Sequence, residues 1–179
     1  KIMKYVDVVI ISYYAMGVIT PDVCNKTVEI AKKYNKPLIV DPKPKHKHLY
    51  SNVDLITPNN AEAVEMTGIE DGTDEAVAEI GGSLLKYLNA NVLITRGERG
   101  MSLFEKTGSI TSIPAKAKEV YSLIGAGDTV VATIAMAVAS GADLKEASFL
   151  ANIAAGIKVG KIGTASVARE EISRELENL

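Results

Sequence analysis

Residues 37–57 read PLIVDPKPKHKHLYSNVDLIT. Two short apolar runs, 37–41 and 53–57, bound this stretch, and each has the length and composition of a buried strand. Similar runs occur at residues 6–12 (VDVVIIS) and 92–95 (VLIT). Between them, the sequence predicts helices at residues 21–34, 60–67 and 73–88. Apolar strands that alternate with helices are typical of a parallel sheet whose two faces are both covered.

The C-terminal half predicts a hairpin and two further helices. Residues 101–105 and 109–113 have the pattern of paired strands, which would add an antiparallel edge to the sheet. Residues 128–140 and 144–158 are predicted to form long helices. We therefore expect one α/β domain, with a doubly wound, mostly parallel sheet and helices on both faces.

Composition excludes several classes of protein. The 179 residues are 47% hydrophobic and 23% charged, which fits one globular domain. The net charge of −2 does not favour binding to nucleic acid or to an anionic membrane surface. We find no apolar run of about 18 residues that could span a membrane. The one cysteine, Cys24, can form neither an internal disulfide nor a thiolate zinc cluster. His46 and His48 have no partner ligands that would indicate a metal site. We expect a reducing, cytoplasmic setting.

Reactive and turn-forming residues follow each predicted strand. In such sheets, ligands bind at the carboxyl ends of the strands. This clustering is the first indication of an enzyme, and its members are Ser12-Tyr13-Tyr14, Asp41-Pro42-Lys43, Thr57-Pro58-Asn59 and Thr95-Arg96-Gly97.

One charged residue, Asp128, stands alone in the apolar stretch 120–142. The pattern predicts a helix that is buried all round, in which a carboxylate would be costly unless it had a partner. Gly125, Ala126 and Gly127 precede it, and glycines at a helix start expose backbone N–H groups that suit an anion. A carboxylate beside them could accept a proton from a nucleophile, as phosphoryl transfer requires. The alternative is that Asp128 only caps the helix.

Four motifs together resemble those of the ribokinase-like (PfkB) carbohydrate kinases, in their order and their spacing: TPNNAE (57–62), TRGERGM (95–101), GAGDT (125–129) and LANIAAGIKVGKIGTASV (150–167). Within the family, residues 113–147 and 159–167 look most like the kinases that phosphorylate D-glycero-D-manno-heptose 7-phosphate at the anomeric position. That branch supplies heptose 1,7-bisphosphate for ADP-heptose biosynthesis. The resemblance implies an ATP- and Mg²⁺-dependent kinase with a sugar phosphate as its acceptor.

The resemblance also implies roles at matching positions. Asp128 would be the catalytic base, and the amides of Gly125, Ala126 and Gly127 would form the anion hole. Asn59 and Glu62 would handle the ATP phosphates, with Glu62 reaching magnesium through water; taken alone, they could equally be a capped helix start. Lys43 would meet a phosphate of ATP or sugar, or else be a solvated lysine. The implied nucleotide-binding residues are Asn59, Glu62, Thr95, Gly97, Gly100, Asn152, Gly160, Lys161 and Gly163.

The chain departs from the family in two motifs and in length. The heptose branch usually carries Asp and Lys where this chain has Tyr13 and Met16, and the family has Asp and Thr where Ser122 and Ile124 stand. The family's domain is also longer, so residues 1–179 are expected to be its C-terminal, nucleotide-binding portion without the N-terminal part and lid. Such a portion would self-associate or join the missing part. A catalytically silent nucleotide-binding or scaffold remnant, and a kinase of another sugar, remain alternatives.

Overall fold

The fold is built on one six-stranded sheet whose strands lie in chain order. The computed structural model describes residues 2–14, 16–116 and 120–178. The strands are β1 (Val9–Ser12), β2 (Leu38–Asp41), β3 (Leu55–Ile56), β4 (Asn91–Thr95), β5 (Met101–Phe104) and β6 (Ile110–Ile113). The first four strands are parallel to one another, and β5 and β6 add antiparallel pairings. The mostly parallel sheet and its antiparallel edge are confirmed.

Three helices and a 3₁₀ segment cover one face of the sheet. They are α1 (Pro21–Lys33), the segment Pro44–Tyr50, α2 (Asn60–Thr67) and α3 (Asp74–Leu88). The helix α1 begins at Pro21 because the Thr20 side chain caps it by accepting from the N–H of Val23, and because proline suits the first turn of a helix. The apolar stripe of α3 packs into a core shared with β2, β3 and β4.

The C-terminal helix pair covers the opposite face. The helices α4 (Ala126–Ala139) and α5 (Leu144–Val159) pack against each other and against a second core that includes Ile39, Leu55 and Leu93. A capping box between Asp143 and Glu146 starts α5. The prediction that helices cover both faces of the sheet is confirmed. The helices on the second face follow the last strand, whereas those on the first face connect successive strands.

Two features differ from the sequence-based expectation. The helix α4 is not buried all round, because Met136 is 70% exposed and Asp128 is also exposed. A sixth helix, α6 (Arg169–Glu177), follows α5. It has no buried residue, so its sequence lacks the apolar stripe that would have predicted it. In the part of the chain that the structure describes, no helix is both long and apolar enough to cross a membrane.

Candidate active site

The carboxyl ends of the parallel strands bring the reactive residues to one edge of the sheet. Ser12 at the end of β1 lies in register with Asp41 at the end of β2. Beyond β3, Asn59 forms a parallel bridge with Thr95, and the N–H of Thr95 donates to the carbonyl of Pro58 at 3.0 Å. Segments separated by many residues in sequence therefore meet at this edge.

The start of α4 presents free backbone donors. Gly125 adopts the left-handed conformation (φ +77°) that turns the chain into the helix. The N–H of Ala126 donates to the carbonyl of Leu123 at 3.2 Å. Within the described residues, the N–H groups of Gly125 and Gly127 have no acceptor. The first turn therefore offers unpaired N–H groups at the positive end of the helix dipole, where an anion is stabilised.

Asp128 stands beside these donors with an exposed side chain. The Tyr14 hydroxyl donates to its Oδ1 at 3.0 Å. The expectation of a buried carboxylate is wrong, because this end of α4 faces open space and the apolar face of the helix begins at Val130. The capping alternative is also not observed: Gly125 is the N-cap residue, and no side chain caps this helix.

A mixed-charge cluster lies near Asp128. Lys43 Nζ donates to Glu62 Oε1 at 2.7 Å, and the Glu62 side chain is 13% exposed. The pKa of Asp41 is raised from 3.8 to about 6, mainly by burial and also by the negative charges of Glu62 and Asp128, while the positive charge of Lys43 lowers it. The hydrogen bond to Glu62 raises the pKa of Lys43. Three carboxyl groups and one ammonium therefore share the electrostatic environment of this edge.

Glu62 has a second task in the local fold. Its Oε2 accepts from the N–H of Asn59 at 3.0 Å, and the Asn59 side chain accepts from the N–H of Glu62 at 2.9 Å. This capping box lies at the start of α2. The interpretation of Asn59 and Glu62 as a capped helix start is therefore confirmed. The box also fixes the Glu62 carboxylate at the edge, where Oε1 accepts from Lys43.

The acidic residues fit one mode of magnesium binding. Mg²⁺ usually keeps several waters and binds one or two carboxylates together with substrate phosphates. Among the described residues, no three His, Cys, Asp or Glu side chains form a group that could hold a metal. Glu62, whose carboxylate is held by the N–H of Asn59 and by Lys43, fits the water-mediated mode.

The segment after β4 forms a tight turn with packing constraints. Gly97 and Gly100 have positive φ (+58° and +80°), and the N–H of Gly100 donates to the carbonyl of Gly97 at 3.0 Å. A Cβ on Gly100 would lie 2.0 Å from the carbonyl oxygen of Ile113. Packing alone therefore requires glycine at position 100, whether or not this residue contacts a nucleotide as predicted.

The predicted nucleotide residues of α5 and the following turn also make internal contacts. Asn152 is buried and donates to the carbonyl of Pro114 at 2.7 Å. Lys161 donates to the carbonyl of Ser166 and to Glu171 of α6, at 2.7 and 2.6 Å. Gly160 and Gly163 lie in the turn between α5 and α6. No described contact distinguishes a nucleotide role for these four residues from a structural one.

Two of the four departures from the family motifs, Tyr13 and Ser122, make local side-chain hydrogen bonds. Tyr13, which stands where the heptose branch carries Asp, is 4% exposed and shares a hydrogen bond of 2.9 Å with Nδ1 of His46. Met16 is exposed. The Ser122 hydroxyl accepts from the N–H of Ile124 at 3.3 Å, so it supports the loop before α4.

Sequence reasoning left two residues of the site unassigned. Tyr14 and Asp41 both appear among the strand-end clusters, yet neither has a predicted role. The position of Asp41 at the end of an apolar strand was the available signal for a perturbed carboxyl group. No local signal could have paired Tyr14 with Asp128, since the two are 114 residues apart.

Comparisons with known proteins agree on the family. A family model described as pfkB family carbohydrate kinase matches residues 1–171. The bifunctional protein HldE of Caulobacter sp. (strain K31) is 44% identical over 172 residues, which cover 95% of this chain and 35% of that protein. HldE of Geobacter sulfurreducens is 41% identical over 167 residues, covering 93% and 34% respectively. The chain therefore spans about a third of the length of these curated relatives.

Solved structures show the same fold. Ribokinase from Arabidopsis thaliana, complexed with ribose and ATP, matches with a TM-score of 0.85 at 24% identity, covering 98% of this chain and 57% of that one. Ribokinase from Thermotoga maritima matches with a TM-score of 0.80 at 25% identity, covering 98% and 58%. With the family match over residues 1–171, these likenesses lead to one conclusion: the chain belongs to the pfkB family of carbohydrate kinases.

Proposed function

We propose that residues 1–179 form the C-terminal, nucleotide-binding portion of an ATP-dependent sugar kinase, with Asp128 as its catalytic base. The observation that carries the proposal is the placement of the Asp128 carboxylate beside the unpaired N–H groups at the start of α4. Phosphoryl transfer needs donors for the transferred group and a base for the attacking hydroxyl, and this one turn supplies both.

In the proposed reaction, the side chain of Asp128 and the backbone at the start of α4 have separate roles. The hydroxyl oxygen of the sugar forms a bond to the γ-phosphorus of ATP, the bond from that phosphorus to the bridging oxygen breaks, and ADP leaves. Asp128 accepts the hydroxyl proton. The N–H groups of Gly125 and Gly127 hold the oxygens of the transferring group, and Ala126 keeps the turn in shape through its bond to Leu123.

Lys43, Asn59 and Glu62 would organise the phosphates. Lys43 balances the carboxylates of this edge and can move from Glu62 to a phosphate oxygen, since lysine binds phosphate as a point charge. Bound Mg²⁺ would neutralise charge on the phosphates, and Glu62 would hold it through water. Asn59 keeps Glu62 in place through the capping box.

The acceptor is proposed to be heptose 7-phosphate, phosphorylated at the anomeric position. Identity of 44% to a bifunctional HldE protein over 95% of this chain supports this branch. ATP as donor is supported by the ribokinase solved with ribose and ATP. Because the chain spans only 35% of that relative, we propose that sugar contacts also come from a further polypeptide portion or a second copy, and that the assembly is cytoplasmic.

The test is ADP release from this chain with Mg²⁺-ATP, with and without heptose 7-phosphate. We expect sugar-dependent release that Asp128→Asn lowers by about 10²–10⁴-fold, the usual contribution of a general base. Asp143→Asn is the matched control, because Asn caps α5 as well as Asp does. A panel of other sugars separates a different acceptor from the heptose.

The outcomes distinguish the alternatives. Release that depends on the sugar but is equal in Asp128→Asn would contradict the assignment of the base. A folded chain that binds ATP but transfers nothing, both alone and when extended by the further polypeptide portion, would support a silent nucleotide-binding remnant. A folded chain without ATP binding would contradict the nucleotide role altogether.

A further inference from the structure

Lys158 is a buried lysine that the proposed chemistry does not use. It lies in the last turn of α5, and the residue is 3% exposed. Its Nζ donates to the carbonyl oxygen of Gly163 at 2.7 Å. Among residues 2–14, 16–116 and 120–178, no carboxylate forms an ion pair with it. A buried ammonium costs several kcal/mol unless it is compensated, and one neutral carbonyl compensates it only in part.

The position of this side chain relates it to the start of α4. Its Cε lies 3.3 Å from the place that a Cβ on Gly125 would occupy. The C-terminal end of α5 also binds the loop that precedes α4, since the N–H groups of Tyr121 and Ser122 donate to the carbonyl of Val159 at 2.7 and 3.1 Å. The Lys158 side chain therefore packs against the turn whose N–H groups are free.

We propose that Lys158 is a positioning residue that supplies fixed positive charge beside the Gly125 turn of the anion hole. This inference rests on the proposed function. The lysine does not touch the transferred group, and acts through the backbone of Gly125. Glycine at position 125 leaves room for its aliphatic chain, and a side chain there would crowd it.

The charge favours ligands with more negative charge at this turn. The helix N–H groups and the ammonium add their potentials at this turn, and the ammonium itself is buried away from water. ATP places its γ-phosphate at this turn and ADP does not, so the charge should strengthen ATP binding more than ADP binding. A role that is only structural predicts no such difference.

The experiment compares Mg²⁺-ATP and Mg²⁺-ADP binding by calorimetry in the wild-type chain and in Lys158→Met. We expect ATP affinity to fall about tenfold, the size expected of a unit charge about 10 Å away at an effective dielectric constant near 20. ADP affinity should fall less than about threefold. The free variant should be as stable to heat as the wild type or more so, because methionine removes a buried charge.

Two further variants sharpen the comparison. Lys145→Met removes an exposed charge from the first turn of the same helix, about 20 Å away at 1.5 Å per residue, and should leave the ratio of the two affinities unchanged. Lys158→Arg keeps the charge and should retain most of the ATP preference.

Each result decides between the proposals. Loss of stability in Lys158→Met with an unchanged ATP-to-ADP ratio would show a structural lysine and overturn this inference alone. Failure of that variant to fold would overturn it too, since the expected stability is undiminished. If the folded wild-type chain binds no ATP, the proposed function fails, and the inference fails with it.

Discussion

The hydroxyl of Tyr14 donates a hydrogen bond of 3.0 Å to Oδ1 of Asp128, and so joins the end of β1 to the start of α4. Tyr14 is 60% exposed, so the bond lies at the open mouth of the site. One carboxylate oxygen is held by the hydroxyl, which leaves the other free to accept a proton. The proposed base is therefore oriented by a residue from the opposite end of the chain.

Removing the hydroxyl tests this orientation. In Tyr14→Phe we expect kcat for sugar-dependent ADP release to fall about fivefold with an unchanged KM for ATP, because a hydrogen bond to a charged group contributes about 1 kcal/mol at an exposed position. Tyr34→Phe, in an exposed tyrosine after α1, is the control. A kcat equal to that of the wild type would show that Asp128 keeps its orientation without Tyr14.

Asp41 should make stability fall as pH rises. Burial raises the pKa of Asp41 from 3.8 to about 6, so the folded chain holds this proton more tightly than the unfolded chain. The free energy of unfolding therefore decreases between about pH 4 and pH 6, by about 1–2 kcal/mol after allowance for partial exposure. Asp41→Asn should remove this slope and be more stable at pH 7.

Urea unfolding at pH 4 and pH 7 measures the effect. Asp22→Asn, in the exposed first turn of α1, should keep the wild-type slope. If Asp41→Asn has the same pH dependence as the wild type, the raised pKa of Asp41 is contradicted.

Gly100 should not tolerate a side chain. In Gly100→Ala the new Cβ would lie 2.0 Å from the carbonyl oxygen of Ile113 and 2.6 Å from the nitrogen of Ala115, so backbone must move. We expect a loss of about 3 kcal/mol or more in the free energy of unfolding. Gly108→Ala also has positive φ but meets nothing within 4 Å, and should cost only about 1–2 kcal/mol. Equal losses in the two variants would contradict the close approach.

Glu62 should set the magnesium requirement. Glu62→Gln preserves the capping box of α2, since Gln serves at that position, but removes the charge. We expect the Mg²⁺ concentration for half-maximal ADP release to rise about tenfold, a size typical of second-shell ligand changes. Glu65→Gln, on the exposed side of α2, should leave it unchanged. An unaltered Mg²⁺ titration in Glu62→Gln would contradict the water-mediated role.

The sequence predicted the fold correctly where an element has a clear local pattern, such as a short apolar run or a glycine turn. Apolar runs at 37–41 and 53–57 predicted β2 and β3, and the Gly125 turn predicted the start of α4. The helix α6 escaped prediction because REEISRELE contains only two apolar residues, Ile172 and Leu176, and none of its residues is buried. The all-round burial expected for α4 was wrong because composition does not reveal which side of a helix has a neighbour.

The site was less predictable because its contacts join distant segments. The motifs predicted roles for Asp128, Asn59 and Glu62, and Asn59 lies at the edge where the parallel strands gather their ends. Lys43 bonding to Glu62, and Tyr14 bonding to Asp128, depend on three-dimensional distances that no local spacing encodes. Their roles with ATP remain predictions.

The strand order β1 to β6 has a consequence for how the protein forms during synthesis. Each new strand can add to its predecessor as the chain emerges, and such sequential contacts favour rapid assembly. The α4–α5 pair follows all six strands in the sequence, and α4 contacts β1 and β2. A ribosome stalled before residue 126 would therefore carry these six strands without the free N–H groups of α4. Asp128 can meet Tyr14 only after all six strands have been made.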